Sequence, residues 1–118
     1  MPEYMLLLRE KPDASENLSP DEMQRAIERY TRWQASVAER GHSPSGKKLR
    51  DGTGRVMKSG AGKPVVTDGP YTESHEVIAG FFALTADSYE QAVELARDCP
   101  HLEFGTIEIR EVEHTSAS

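Results

Sequence analysis

Over residues 3–9 (EYMLLLR) apolar side chains fall on both parities, Tyr4, Leu6 and Leu8 against Met5 and Leu7. A run so short and so apolar predicts a central strand rather than a helix. After a polar loop the period changes to that of a helix. Ser19 stands as N-cap, Pro20 at the first helical position, and Glu22 completes a capping box, with acidic charge at the positive end of the helix dipole. Met23, Ala26, Ile27, Tyr30, Trp33, Gln34 and Val37 then recur as one apolar stripe, with Tyr30 and Trp33 read as core, and Gly41 supplies the stop. From 42 to 64 the chain turns to Gly, Ser and Lys. Short strands are predicted over 47–50 and 55–58, joined through Asp51-Gly52-Thr53-Gly54 as a hairpin, with a further short strand over 63–67. Residues 77–84 are apolar or small on both parities: Val77, Ala79, Phe81 and Ala83 on one side, Ile78, Gly80, Phe82 and Leu84 on the other. Such a strand is expected to be buried on both faces. Asp87 and Ser88 offer N-caps to a second helix ending near Cys99-Pro100, residues 101–105 read as a loop, and 106–112 as a closing strand.

This order predicts an α+β fold, a ferredoxin-like split βαβ sheet with an inserted hairpin, in one domain over residues 1–113 followed by a polar tail. Two helices cover only one face of such a sheet, yet two of its strands are apolar on both. A second copy packed sheet to sheet resolves the conflict, so a homodimeric α+β barrel is expected.

The turn between the two apolar runs around 65–84 carries the ionisable groups. Asp68-Gly69-Pro70 is a turn signal, since Asp bonds its own downstream backbone, Gly tolerates positive φ and Pro fixes φ. Tyr71, Glu73, His75 and Glu76 follow within a few residues. An Asp at this place serves either as a turn cap or as a general base whose pKa rises beside the apolar walls of Phe81 and Phe82. His75 is either a loop histidine or the partner that makes an acid–base pair with Asp68. Glu73 and Glu76 either pair with basic side chains or, with Tyr71 and Phe81, line a substrate cleft. Glu108 and Arg110 either meet a polar ligand on the open sheet face or pair across the dimer seam. A metal site from Asp68, Glu73, His75 and His101 lacks any spacing that fixes a geometry, so neither a metal nor a cofactor is expected.

Composition narrows the setting. The chain of 118 residues carries a net charge of −6, which argues against nucleic acid as the main partner, because phosphate binding needs a concentrated basic surface. Lys47, Lys48 and Arg50 form the one basic cluster, on a solvated strand. The single cysteine, Cys99, forbids an internal disulfide framework and looks structural. With neither a basic-then-apolar leader nor an apolar run of membrane-spanning length, a cytoplasmic protein without a membrane partner is expected.

The stretch Asp68-Gly69-Pro70-Tyr71-Thr72-Glu73, followed by Glu76-Val77-Ile78-Ala79-Gly80-Phe81-Phe82, resembles the YCII-related proteins, in particular their DGPF subgroup. Tyr71 stands where that motif has Phe, and Ser74-His75 where it has Thr-Lys. The resemblance extends to MLLLRE near the start, Ala86-Asp87-Ser88, Cys99-Pro100-His101-Leu102 and Ile107-Glu108-Ile109-Arg110. It implies a dimeric ferredoxin-like barrel with a cleft for a small molecule, and in some relatives dehydrochlorinase-like or lactone-processing chemistry. It also implies a His–Asp active-site pair, but residues 19–40 contain no histidine to supply its helical member. Members are often encoded beside extracytoplasmic-function sigma factors. The reading is therefore a small-molecule-binding barrel with cofactor-free lyase or isomerase chemistry through Asp68 and His75. The alternative is a non-catalytic ligand-sensing or protein-interaction module linked to sigma-factor regulation.

Overall fold

The computed structural model describes residues 1–14, 17–69 and 76–114. Among these residues six strands and two α-helices run in the order β1 (Glu3–Glu10), α1 (Pro20–Glu39), β2 (Ser45–Lys48), β3 (Arg55–Lys58), β4 (Val65–Asp68), β5 (Val77–Thr85), α2 (Tyr89–Ala96) and β6 (Gly105–Glu111). A 3₁₀ turn over Pro100–Glu103 joins α2 to β6. The antiparallel order β2-β5-β1-β6 is that of a ferredoxin-like sheet, so the α+β architecture read from the sequence is the one observed.

The hairpin is arranged differently from the expectation. β2 does not turn back onto β3; it pairs with β5, Gly46 opposite Phe82 and Lys47 opposite Phe81. β3 pairs instead with β4, across the Ser59-Gly60-Ala61-Gly62 break, as a separate two-stranded ribbon. β5 offers β2 a largely buried apolar strand to pair with, whereas β3 is mostly exposed, and Asp51-Gly52-Thr53-Gly54 becomes a link rather than a tight turn.

α1 begins as its residues dictate: Ser19 Oγ accepts from the Glu22 amide at 3.1 Å, and the Glu22 carboxylate accepts from the Ser19 amide at 3.2 Å. It ends at Arg40, with Gly41 at φ 86°. Ala26, Trp33 and Val37 face the sheet, whereas Met23 and Ile27, though on the same stripe, stay 37% and 50% exposed. α2 stops at Ala96, short of the expected end, and the 3₁₀ turn takes over the connection.

The core lies between the helices and one face of the sheet, built from Tyr4, Leu6, Leu8, Phe82, Leu84, Trp33 and Leu95. The Trp33 indole N–H donates to the Leu95 carbonyl at 2.9 Å, tying α1 to α2, and its ring meets Phe82 edge-on with centroids 4.9 Å apart. The strict alternation expected of β5 is broken by a bulge opposite Leu8 and Arg9. Leu8 pairs with Gly80 but Arg9 with Ile78, so Ala79 is the surplus residue. Beyond it parity is reversed, which moves Ile78 to the face of Phe81 and Ala83, away from the helices. That second face, with Met5, Leu7 and Ile78, carries neither helix, and Ile78 is 41% exposed.

Candidate functional site

A cleft of about 390 Å³ opens between the N-terminal half of α1 and the β1–β5–β2 side of the sheet. This volume falls within the range of small-molecule sites. It explains the exposure of Met23 and Ile27: both line the cleft instead of sealing onto the sheet, opposite Leu8, Ala79, Phe82 and Phe104. Gly46 forms part of the β2 wall, where any Cβ would collide with the Phe82 ring and the Phe81 carbonyl, so glycine is what lets the ring sit there.

Three polar side chains close the buried end. Glu10 continues the inward parity of Tyr4, Leu6 and Leu8 at the last position of β1 and is 8% exposed. His101, set by the 3₁₀ turn after Pro100, is 2% exposed. Tyr30 reaches it from α1, its ring near-parallel to that of Phe82 with centroids 6.4 Å apart.

The proton positions follow from geometry. His101 Nε2 lies 2.8 Å from the Arg9 carbonyl oxygen, which only accepts, so Nε2 carries a hydrogen. His101 Nδ1 lies 3.2 Å from the Tyr30 hydroxyl; in the neutral imidazole Nδ1 accepts and the phenol donates. Gly105 makes this possible by running against the Arg9 carbonyl at a distance that no Cβ could occupy. Burial pushes the Tyr30 phenol up, with Cys99 and Glu10 adding to it. Burial also raises the Glu10 carboxyl above its ordinary value, against the opposite pull of His101 and Lys48. Glu10 has no hydrogen bond or ion pair among the described residues. At the rim, Lys48 Nζ donates to Asp51 Oδ1 at 2.8 Å and to the Leu49 carbonyl.

Asp68, Glu76, Glu108 and Arg110, singled out from the sequence, lie outside this cleft. Asp68 ends β4 on the ribbon, its side chain 93% exposed and 3.6 Å from Arg55, and it does not line the cleft. Tyr71, Glu73 and His75 lie outside the described residues. Glu76 accepts from the Thr106 hydroxyl at 3.5 Å. Among the described members of the set, Phe81 alone borders the cleft. Glu108 pairs within the chain, taking Arg9 Nε at 3.0 Å and facing Arg110 at 3.6 Å on the helix-free side of the sheet. Cys99 is buried, its thiol pushed up to about 11 by desolvation, which suits a packing role.

Sequence reasoning missed Glu10 and the polar role of Tyr30, and named His101 only beside Asp68, Glu73 and His75 in a metal set without fixed geometry. A carboxylate in phase with Tyr4, Leu6 and Leu8 was the available signal for Glu10. His101 carried none, because its burial depends on a turn that periodicity does not detect.

The YCII-related domain profile matches residues 2–116. The chain belongs to the YCII-related family. A protein of Rhizobium meliloti (strain 1021), described as uncharacterized, is 25% identical over 96 residues, covering 80% of this chain and 77% of its own length. Among the described residues of this YCII-related protein, no helix is long and apolar enough to cross a membrane.

Proposed function

We propose that this YCII-related protein binds a small organic molecule in the cleft beneath α1, with Glu10 as the group that exchanges a proton with it and the Tyr30–His101 pair as its neighbour. The observation that carries the reading is Glu10: an acidic residue only 8% exposed, at the end of an apolar cleft, without a protein partner among the described residues. Unpaired buried carboxyl groups are costly, and a raised pKa is what general acid–base work near neutral pH requires. Cofactor-free proton transfer, as in a lyase or isomerase, is the chemistry these groups would serve. The Asp68-Gly69-Pro70-Tyr71 motif supports placement in the DGPF subgroup, with Asp68 as cap of its turn.

The working unit is proposed to be a homodimer closed through the helix-free sheet face. The chain exposes 8267 Å², roughly 1,900 Å² more than a compact 13.1 kDa monomer would. Its radius of gyration, 16.3 Å, exceeds the about 13.5 Å of a compact domain of this length. That surplus is more than the roughly 800 Å² per partner of a standard interface.

The test maps amide shifts on adding small aromatic probes. Perturbation centred on Ala79, Gly80 and Phe104, lost in Ile27→Glu without loss of stability, is the expected result. Shifts confined to the helix-free face would instead favour a protein-interaction module, and no shifts at all would end the small-molecule reading. Light scattering tests the dimer, with Leu7→Asp expected to give monomers.

A further inference from the structure

We infer that the cleft is built for an amine: a small, largely apolar molecule whose ammonium group docks on Glu10 and on the Tyr30 oxygen. This rests on the small-molecule reading above and adds the chemical class. At the buried end His101 Nε2–H donates to the Arg9 carbonyl, 2.8 Å away, and the Tyr30 hydroxyl is bonded to His101 Nδ1, 3.2 Å away. What this end still offers a guest is the pair of carboxylate oxygens of Glu10, with no hydrogen bond among the described residues, and a lone pair on Tyr30 Oη. A ligand that fits them must bring the hydrogens.

Charge points the same way. Glu10 is 8% exposed, and the charged groups within its electrostatic reach are His101, Lys48 and Asp51. His101 is engaged at both ring nitrogens, by the Arg9 carbonyl and by the Tyr30 hydroxyl. Lys48 gives its charge to Asp51 at 2.8 Å, so that pair cancels at the rim. Lys47 borders the cleft in register with Phe81, but is not among the charges that act on Glu10. Glu10 therefore makes no ion pair of its own among the described residues, and an ammonium ion supplies one along with three donors. The walls suit the rest of such a ligand: Phe82, Phe104 and the Tyr30 ring border the cleft, giving apolar contact for a carbon skeleton and π faces for a cation. A carboxylate ligand would meet Glu10 as a like charge, and an alcohol would bring a single donor.

Calorimetry on the full chain at pH 7.5 with three probes of one size, 2-phenylethylamine, 2-phenylethanol and 3-phenylpropionate, tests this. The amine is expected to bind at least ~tenfold more tightly than the alcohol, the contribution of one charge-assisted hydrogen bond, with 3-phenylpropionate weakest. Glu10→Gln should remove the amine's advantage, bringing its affinity to within about twofold of the alcohol's in the same variant. Should Glu10→Gln fold poorly, the wild-type profile decides: amine affinity should rise with pH as Glu10 ionises, alcohol affinity should not. Equal binding of amine and alcohol, or a preference for 3-phenylpropionate, overturns the amine assignment and leaves the cleft as a binding site. Failure of all three to shift the amides of Ala79, Gly80 and Phe104 overturns both.

Discussion

Glu10 and Asp68 each put a carboxylate at the end of a strand, and they differ in everything around it. Glu10 ends β1 with 8% of its surface exposed, beside a histidine and a tyrosine bonded to each other. Asp68 ends β4 with a side chain 93% exposed, 3.6 Å from Arg55 on a ribbon that pairs only with itself. The density of ionisable residues along the sequence points to Asp68, whereas the three-dimensional environment singles out Glu10. A carboxylate gains unusual chemistry from what excludes water around it, and water is excluded by tertiary packing.

The sharpest way to break this contrast is His101→Ala. It strips the Arg9 carbonyl and the Tyr30 hydroxyl of their partner and leaves a buried hole, with an expected loss of about 3 kcal/mol in denaturant unfolding. A change below about 0.5 kcal/mol would mean that the cluster is not a structural centre. Tyr30→Phe removes one hydrogen bond and keeps the ring on Phe82, with an expected cost of about 1 kcal/mol in the same measurement.

Glu10→Gln should act in the opposite direction. The folded-state pKa of Glu10 lies above its unfolded value, so its protonated form is at home in the fold and stability is lost as pH rises and the buried group ionises. The variant should therefore melt higher than wild type near pH 7, with the gap closing toward pH 4. A gap that widens on acidification would show that Glu10 is stabilised as the anion. Asp68→Asn should stay within about 0.5 kcal/mol of wild type at every pH, as expected of a solvated ion pair. A larger loss would move the functional weight back to the ribbon.

Much of the fold was legible because its signals are local. Ser19 and Glu22 announce the start of α1, Ser88 caps α2, and the double-sided apolar runs of β1 and β5 make them the two central strands. The pairing of β2 was not legible, since Ser45-Gly46-Lys47-Lys48 has no apolar pattern and is held by the free edge of β5. The site was hardly legible at all. Tyr30 has the spacing of a core residue, and its hydroxyl acquires meaning only when the turn after Cys99 carries His101 under α1. Glu10 lay at a strand end, where a charge is unremarkable unless the strand remains covered to its last residue.

The surplus residue in β5 has a consequence for the size of the chamber. With an even ladder, Ile78 would sit next to Glu10, and its branched side chain would fill the space that a guest molecule needs. Because Ala79 takes up the slack, Val77 holds that register and Ile78 swings outward, so the vacancy beneath α1 depends on one extra alanine in a neighbouring strand.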